Sequence, residues 1–323
     1  MKDRIELLKV DLLNQSKLIK EIDHWLKVFN WPQGWHYDLD ISWSLNRIEE
    51  YGLKPGSTIL DAGGGLGITQ FLLAARGYNV ISLDFNTRPI PKFAKGIFNI
   101  KIDNQDLKGY HHEYMDFMDY GLTPSSKSFA ERLRGFIART IKMPSYFFFA
   151  LKNKFINLIN PYYLAQKWFH SNDGFGQIIF LRGTFNNIPL NDNSIDFMVS
   201  ISAFEHNKYE DMPASINEFM RVLKPGTPLT LTTSAAENKD WYFDAPKAWN
   251  FTRETLQDWF VINSDSITFN YTESIDYLNS SNVIKKRISA HYKYNNDKAL
   301  PYGKINNASY YPVGIVKSKL IYK

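Results

Sequence analysis

The sequence predicts a doubly wound α/β fold, and three features of the chain indicate it. Residues 59–84 contain an apolar strand, a glycine-rich turn, a helix and a second strand. The mostly apolar run 195–201 is typical of a strand that is buried on both faces in a parallel sheet. Residues 211–223 carry apolar positions at helical spacing, and a Lys-Pro-Gly sequence ends this helix before a strand at 228–232. Strands that alternate with helices in this way favour a parallel sheet covered on both faces.

The first of these segments has the pattern of a site for a nucleoside cofactor. Its first strand runs into Asp61, a helix follows at 68–76, and the second strand at 80–83 ends at Asp84. The turn between strand and helix contains Gly63, Gly64, Gly65 and Gly67. Because glycine has no Cβ, the backbone of such a turn can lie directly against a ligand. An acidic residue at the end of the second strand is placed to accept hydrogen bonds from ribose hydroxyls.

The glycine spacing separates this turn from a dinucleotide site. Dinucleotide-binding turns follow the pattern G-x-G-x-x-G. Counted from Gly63 or Gly64, the last glycine of that pattern would fall on Ile68 or Thr69. The spacing present is D-x-G-x-G-x-G, so a pyrophosphate-binding turn is disfavoured. A glycine-rich turn in an unrelated doubly wound protein remains the alternative at this point.

Two later segments extend the pattern in a fixed order. Residues 183–206 read GTFNNIPLNDNSIDFMVSISAFEH, and residues 219–233 read FMRVLKPGTPLTLTT. Together with the turn at 61–67, they resemble the class I S-adenosylmethionine-dependent methyltransferases, with a domain similar to methyltransferase type 11. The positions that match in the longer segment are Gly183, Pro189, Asp192, Ser194 and Asp196. The resemblance covers residues 57–85 and 178–233.

This resemblance implies a Rossmann-like, seven-stranded sheet and S-adenosylmethionine as the cofactor. We expect residues 266–271 and 311–317 to be the last two strands. The cofactor-binding residues it implies are Asp61, Gly63, Gly64, Gly65, Gly67, Asp84, Phe85, Thr184, Phe185, Ile201 and Ser202. Thr184 stands where many relatives have an aspartate that accepts a hydrogen bond from the adenine amino group. Either its hydroxyl accepts this bond without charge assistance, at a cost of about 1 kcal/mol, or adenine binding relies on the backbone amide of Phe185 and on stacking.

Methyl transfer in this family is an in-line displacement in which the acceptor often has to lose a proton. His206 directly follows the predicted strand 195–201, and histidine suits a general base near neutral pH. In the alternative interpretation, the Glu205-His206 pair begins a helix and Glu205 binds backbone donors. The weaker candidates for a base are His36, His111, His112 and His170. We expect no metal, since adjacent histidines such as 111 and 112 rarely share one.

The composition narrows the function further. The 323 residues carry a net charge of +5 and include 44% hydrophobic and 15% aromatic residues. The chain has no cysteine, which excludes disulfides, thiolate zinc sites and a cysteine nucleophile. The last absence disfavours methylation at pyrimidine C5, and the sequence Ser-Ala-Phe-Glu after the fourth strand lacks the pattern of adenine-N6 enzymes. Without a signal peptide core or an apolar run of membrane-spanning length, we expect a cytoplasmic protein.

The remaining length predicts additions to one domain. We assign 1–50 to an N-terminal helical cap and 51–323 to the methyltransferase domain. Apolar positions between residues 5 and 26 approximate a helical stripe that ends near Asn30. The aromatic segment that follows includes Trp35, His36 and Tyr37, which form either a lid over the cofactor or ordinary packing at a helix–sheet junction.

A large, mostly helical insertion is predicted at 86–176, between the second and third strands. Between 120 and 170, eight basic residues are interleaved with aromatic ones against one acidic residue, Glu131. This segment either packs on the domain, binds an anionic or lipid-linked acceptor, or contacts a membrane surface through 129–169. Nucleic acid is disfavoured as a partner, because no RNA-binding module accompanies the basic residues.

These observations predict a methyltransferase that acts on a small molecule, at an oxygen of a sugar, nucleotide-sugar or lipid-linked glycan. The alternatives are a nucleic-acid methyltransferase and a non-catalytic subunit that keeps the fold. The sequence does not indicate an oligomeric state.

Overall fold

A computed structural model of the protein describes residues 1–31, 35–86, 90–103, 141, 159–243, 247–269 and 312–321. Within these residues, ten strands form one sheet. The strands are β1 (Arg4–Leu7), β2 (Thr58–Ala62), β3 (Asn79–Asp84), β4 (Ile100–Asp103), β5 (Ile178–Arg182), β6 (Phe197–Ile201), β7 (Pro228–Ala235), β8 (Trp241–Phe243), β9 (Ala248–Phe251) and β10 (Pro312–Ser318). The helices are α1 (Ser16–Phe29), α2 (Trp35–Tyr51), α3 (Thr69–Ala75), α4 (Pro161–Phe169), α5 (Met212–Val222) and α6 (Arg253–Phe260).

The centre of the sheet is parallel, as the sequence predicts. The strand order is β1-β10-β7-β6-β2-β3-β5-β4, and β9 pairs with both β7 and β8. Neighbouring strands from β7 to β4 run parallel, whereas β10 is antiparallel to both of its neighbours. The strands that follow β2 in the chain are added first on its β3 side and later on its β6 side. The carboxyl ends of β2, β3 and β6 therefore meet at the point where the strand order reverses, which is where open α/β sheets bind ligands.

The predicted count of seven strands is wrong. The strand expected at 311–317 is present as β10, but the one expected at 266–271 is not. Residues Ser264–Ser266 form a 3-10 turn, and Ile267 makes only an isolated bridge to Ile5. The edge position next to β10, where the strand 266–271 was expected, is occupied by β1, which pairs antiparallel with β10. Residues 270 and 271 lie outside the described residues.

The N-terminal segment is therefore only partly helical. In β1 the side chain of Ile5 is buried while its neighbours Arg4 and Glu6 are more exposed, which is a strand period of two. This short alternation of buried and exposed residues lies within the apolar positions between residues 5 and 26, which also fit helical spacing. The sequence pattern therefore predicts a helix there instead of a strand. The helix that does form, α1, ends at Phe29, with Asn30 as its left-handed C-cap.

The first two helices pack against different parts of the core. Phe29 of α1 lies 4.7 Å from Phe71 of α3 between ring centroids. Helix α2 crosses β10, where a Cβ on Gly314 would lie 2.5 Å from the Trp43 ring. The Trp43 indole donates a 2.6 Å hydrogen bond to Glu6 Oε1 on β1. These contacts hold α2 against the same sheet that carries the strand ends of the site.

The insertion at 86–176 is described only at 86, 90–103, 141 and 159–176. Four of its residues form β4, which extends the sheet beyond β5. Helix α4 begins after Asn160. Most of 129–169, together with His111 and His112, lies outside the described residues. Among the described helices, none is both long and apolar enough to cross a bilayer.

Candidate active site

The glycine turn after β2 is tied to the end of β3. The amides of Gly63 and Gly64 both donate to the Leu83 carbonyl, at 2.8 and 3.2 Å. Gly63 has a φ of +78°, and a Cβ there would lie 2.4 Å from Ala203 Cβ and 2.8 Å from Phe185 Cζ. Glycine is therefore required at Gly63 both by the backbone conformation and by space. The same contacts place the segments that follow β5 and β6 directly against the turn.

Asp84, the last residue of β3, holds the turn with its side chain. Its Oδ2 accepts a hydrogen bond from the Gly65 amide and its Oδ1 accepts one from the Asn86 amide, each at 2.9 Å. The side chain is buried. Since each carboxylate oxygen has two lone pairs, Asp84 can still accept hydrogen bonds from a ribose diol. A Cβ on Gly65 would meet only the Gly63 carbonyl oxygen, at 3.8 Å, so the turn is open at this point.

The remaining residues of the turn stabilise its shape. Asp61 is buried and accepts a 2.6 Å hydrogen bond from the Ser82 hydroxyl. The Gly67 amide donates to the Gly64 carbonyl at 3.1 Å and closes the turn. The Trp31 indole donates to the Leu66 carbonyl, so the segment after α1 also contacts the turn. Nothing in the sequence around Trp31 signals this contact.

Thr184 and Phe185, which the resemblance assigns to adenine, follow β5, and Phe185 lies against Gly63 of the turn. Thr184 is half-buried. Phe185 is buried, and its ring packs edge-on against Phe219 of α5, with centroids 5.2 Å apart. Phe85 is half-buried beside this region, and its carbonyl accepts a 3.4 Å hydrogen bond from the Arg182 guanidinium.

Other residues that matched the family segment support the fold. Asp196 accepts hydrogen bonds from the Thr58 amide and the Lys224 ammonium, at 2.8 and 2.6 Å. Asp192 pairs with Arg221 at 2.6 Å. These bonds lie near the starts of β2 and β6, away from the glycine turn. Part of the matched pattern therefore positions the sheet, and another part forms the candidate site.

Ile201 and Ser202 lie at the carboxyl end of β6. Both are buried, and Ser202 adopts a φ of +45°. The Ser202 amide donates to the Thr232 carbonyl at 3.1 Å, while its hydroxyl donates to Glu205 Oε1 at 2.7 Å. Glu205 and His206 lie in a 3-10 turn, Phe204–His206, and the Glu205 carboxylate interacts with its own backbone amide, which agrees in part with the interpretation of the pair as a helix start. The bond from the Ser202 hydroxyl is an additional side-chain contact. Ala203 then touches Gly63, so this end of β6 adjoins the glycine turn.

His206 is half-buried one residue after Glu205, and its Nδ1 lies 3.0 Å from the Lys247 carbonyl oxygen. Because a carbonyl can only accept, Nδ1 carries the proton in this contact. In the neutral ring, Nε2 is then the basic nitrogen. His170 is exposed beside His24, with ring centroids 6.1 Å apart, and takes no part in this arrangement. His36 belongs to α2, but its side chain is outside the described residues.

Sequence reasoning missed a pair of buried acids next to this region. Asp40 of α2 is fully buried, and Glu205 is 1% exposed. Burial, followed by the charge of Glu205, raises the pKa of the Asp40 carboxyl well above its ordinary value. Burial also raises the pKa of Glu205, against the opposing effect of nearby His206. A single aspartate within a helix gives no sequence signal of such a pair, because the partner lies far away in the chain.

One family model and several solved structures are similar to this chain. The family model described as a methyltransferase domain matches residues 159–231. No curated protein matches the chain. Similar solved structures include the 1,6-didemethyltoxoflavin-N1-methyltransferase of Burkholderia thailandensis, at 11% identity, covering 86% of this chain and 76% of that one, with a TM-score of 0.41. An S-adenosylmethionine-dependent methyltransferase from Methanosarcina mazei has 16% identity, coverage of 85% and 98%, and a TM-score of 0.41.

A third similar structure is phosphoethanolamine N-methyltransferase 2 of Haemonchus contortus, in complex with S-adenosylmethionine. It has 13% identity, covers 97% of this chain and 60% of that one, and has a TM-score of 0.44. At these low scores, the assignment depends on the family match and on the geometry of the site. The turn braced by Asp84, the parallel strand order and the methyltransferase domain matched over residues 159–231 are the features expected of the class I S-adenosylmethionine-dependent methyltransferases that the sequence resembles.

Proposed function

We propose that this enzyme transfers the methyl group of S-adenosylmethionine to a small-molecule acceptor at the carboxyl ends of β2, β3 and β6. The observation that carries the proposal is the Asp84 carboxylate, which braces the glycine turn and still has lone pairs for a ribose diol. Asp84 and Phe85 would contact the ribose, and Thr184 and Phe185 the adenine. The methionine end of the cofactor would lie against the glycine turn, with Asp61 behind it.

The cofactor supplies an electrophilic methyl on a sulfonium centre, and the chain contributes orientation, exclusion of water and a base. Ile201 and Ser202, buried beside the turn, would form the wall between cofactor and acceptor. His206 Nε2 would accept the proton that the acceptor loses, since the Lys247 carbonyl holds the proton on Nδ1.

For the acceptor, we propose a hydroxyl of a sugar, nucleotide-sugar or lipid-linked intermediate. Support comes from the basic and aromatic composition of the insertion. The described part of this insertion includes α4, whose side chains Tyr162, Trp168 and Phe169 are 48%, 66% and 80% exposed. These side chains, with neighbouring Lys167, suit an acceptor with both an apolar and an anionic part. Contact of the same surface with a membrane is a further proposal.

Substitution of His206 tests the role of the base. His206→Ala should lower turnover roughly a hundredfold, because a positioned base contributes about that factor. Cofactor affinity should stay nearly unchanged, since the imidazole is assigned to the acceptor side. Turnover is measured with methyl-labelled S-adenosylmethionine and a panel of sugars, sugar phosphates and amino sugars.

The matched control is His170→Ala, which removes an exposed imidazole that packs beside His24. This control should retain full turnover. If His206→Ala also retains it, His206 has no role in proton transfer. If the wild-type protein binds no S-adenosylmethionine, the proposed activity itself is wrong.

A further inference from the structure

Asp40 and Glu205 leave three carboxylate oxygens buried without hydrogen bonds of ordinary geometry. Neither oxygen of Asp40 nor Oε2 of Glu205 makes such a bond, and Oε1 of Glu205 accepts one from the Ser202 hydroxyl. The hydroxyls of Thr232 and Thr233 are close enough to lower the pKa of Asp40 and of Glu205, respectively, but not enough to offset burial. Both residues are almost completely inaccessible to solvent. Buried carboxylates are normally paired or well hydrogen-bonded, because an isolated buried charge costs several kcal/mol. The pair is therefore incomplete as the protein stands alone.

The described residues supply no strong counter-charge to this pair. No lysine or arginine in the described part of the chain forms an ion pair with either carboxylate. The nearby charged and titratable groups are Asp38, Tyr37 and His206, of which only His206 can be cationic. Among the described residues there is also no group of three or more ligands suited to a metal ion. Within the described residues, the pair therefore has no cationic partner other than the nearby imidazole of His206.

Two sets of contacts, one from the segment after β6 and one from the segment before α2, place the pair beside the glycine turn. On one side, Glu205 follows Ala203 by two residues, and Ala203 touches Gly63. On the other side, Trp31 bonds to the Leu66 carbonyl, and the helix that carries Asp40 begins four residues later. Helix α2 also contacts β6 and β7, whose carboxyl ends flank Ser202. This is the side of the turn on which the proposed acceptor would lie.

We propose that Asp40 and Glu205 form the binding site for an ammonium group on the acceptor. An ammonium group has three N–H donors, which match the three carboxylate oxygens that lack hydrogen bonds of ordinary geometry. A single proton shared between the two carboxylates would give a hydrogen bond to only two of these three oxygens. The acceptor class is thus narrowed to small molecules that carry an amine, such as amino sugars. The inference rests on the proposed function, since it assigns a substrate group to the same site.

The test uses the full-length protein and two matched pairs of probes, glucosamine with glucose and ethanolamine with ethylene glycol. The unfolding midpoint is measured with each probe, both with saturating S-adenosylhomocysteine and without it. Wild-type protein should be stabilised by the amine of each pair at concentrations at least about tenfold lower than by its neutral match. Asp40→Asn and Glu205→Gln should each abolish this preference. Ser42→Ala, a fully buried change on the same helix, should leave it intact.

Two measurements separate the inference from the proposed function. Failure of S-adenosylhomocysteine to bind the wild type contradicts the proposed function. In that case, the unfolding midpoints measured with the probes alone still test whether Asp40 and Glu205 bind an ammonium group. Loss of the amine preference in Asp40→Asn with unchanged S-adenosylhomocysteine affinity supports the inference. The inference is wrong if amines and neutral matches act alike on the wild type, or if Asp40→Asn keeps the preference.

Discussion

Two buried aspartates, Asp84 and Asp40, differ in what surrounds their carboxylates. Asp84 accepts hydrogen bonds from two backbone amides. Asp40 has no backbone donors and only the Thr232 hydroxyl nearby, and it lies close enough to Glu205 for the charge of Glu205 to disfavour its ionisation. The first arrangement is complete without a ligand, whereas the second is not. Residues of the second kind are commonly kept for function at some expense in stability.

The raised pKa of Asp40 predicts a stability that falls as pH rises. The unfolded chain releases this proton near pH 4, but the folded chain retains it up to the raised pKa. Over that window the folded state binds more protons, so the free energy of unfolding decreases with increasing pH. Glu205, also raised by burial, adds to the same trend. Urea unfolding from about pH 5 to about pH 8 should show this fall in the wild type.

Asp40→Asn removes the ionisation at the centre of this effect. The variant should lose less stability over the same pH range, by a difference of at least about 1 kcal/mol. Ser42→Ala should follow the wild-type pH dependence, because it changes no titratable group. Parallel curves for wild type and Asp40→Asn would show that Asp40 ionises normally in the folded protein.

At the scale of elements, one buried side chain joins the insertion to the N-terminal helices. Asn160 accepts hydrogen bonds from the amides of Tyr162 and Tyr163 and so caps α4. Its amide nitrogen donates to the carbonyls of Lys27 and Val28 at the end of α1, each at 2.9 Å. Asn160 thereby connects two helix ends that lie far apart in the sequence.

Asn160→Ala should destabilise the protein by about 2 kcal/mol, since it removes a cap and leaves carbonyls at the end of α1 without this donor. Urea unfolding measures the change. The control is Asn263→Ala, which removes an exposed asparagine that makes no side-chain cap and should cost less than about 0.5 kcal/mol. Equal effects of the two substitutions would show that Asn160 does not join the helices.

For the whole molecule, the cofactor side was predictable from the sequence and the acceptor side was not. The glycine turn and Asp84 lie within one short βαβ unit, so their spacing alone indicated a nucleoside cofactor. The parallel core followed from the same local patterns. These features depend on neighbours in the chain, which sequence patterns describe well.

Long-range pairing explains why the remaining features of the fold and of the site were not predicted from the sequence. Strand β1 takes an edge position through β10, from the opposite end of the chain, and no local pattern specifies that partner. Asp40 and Glu205 are likewise brought together only when α2 packs across β6 and β7. The strand count and the buried acid pair could therefore be found only in the folded protein.

The central claim is that the turn braced by Asp84 binds S-adenosylmethionine, and titration calorimetry tests it most directly. Wild-type protein should bind the cofactor, and Asp84→Asn should weaken binding at least about tenfold, because it removes charge-assisted hydrogen bonds to the ribose. Asp192→Asn, a change at a largely exposed acid of the matched segment, should bind as the wild type does. Unchanged affinity in Asp84→Asn, or no binding by the wild type, would contradict the account.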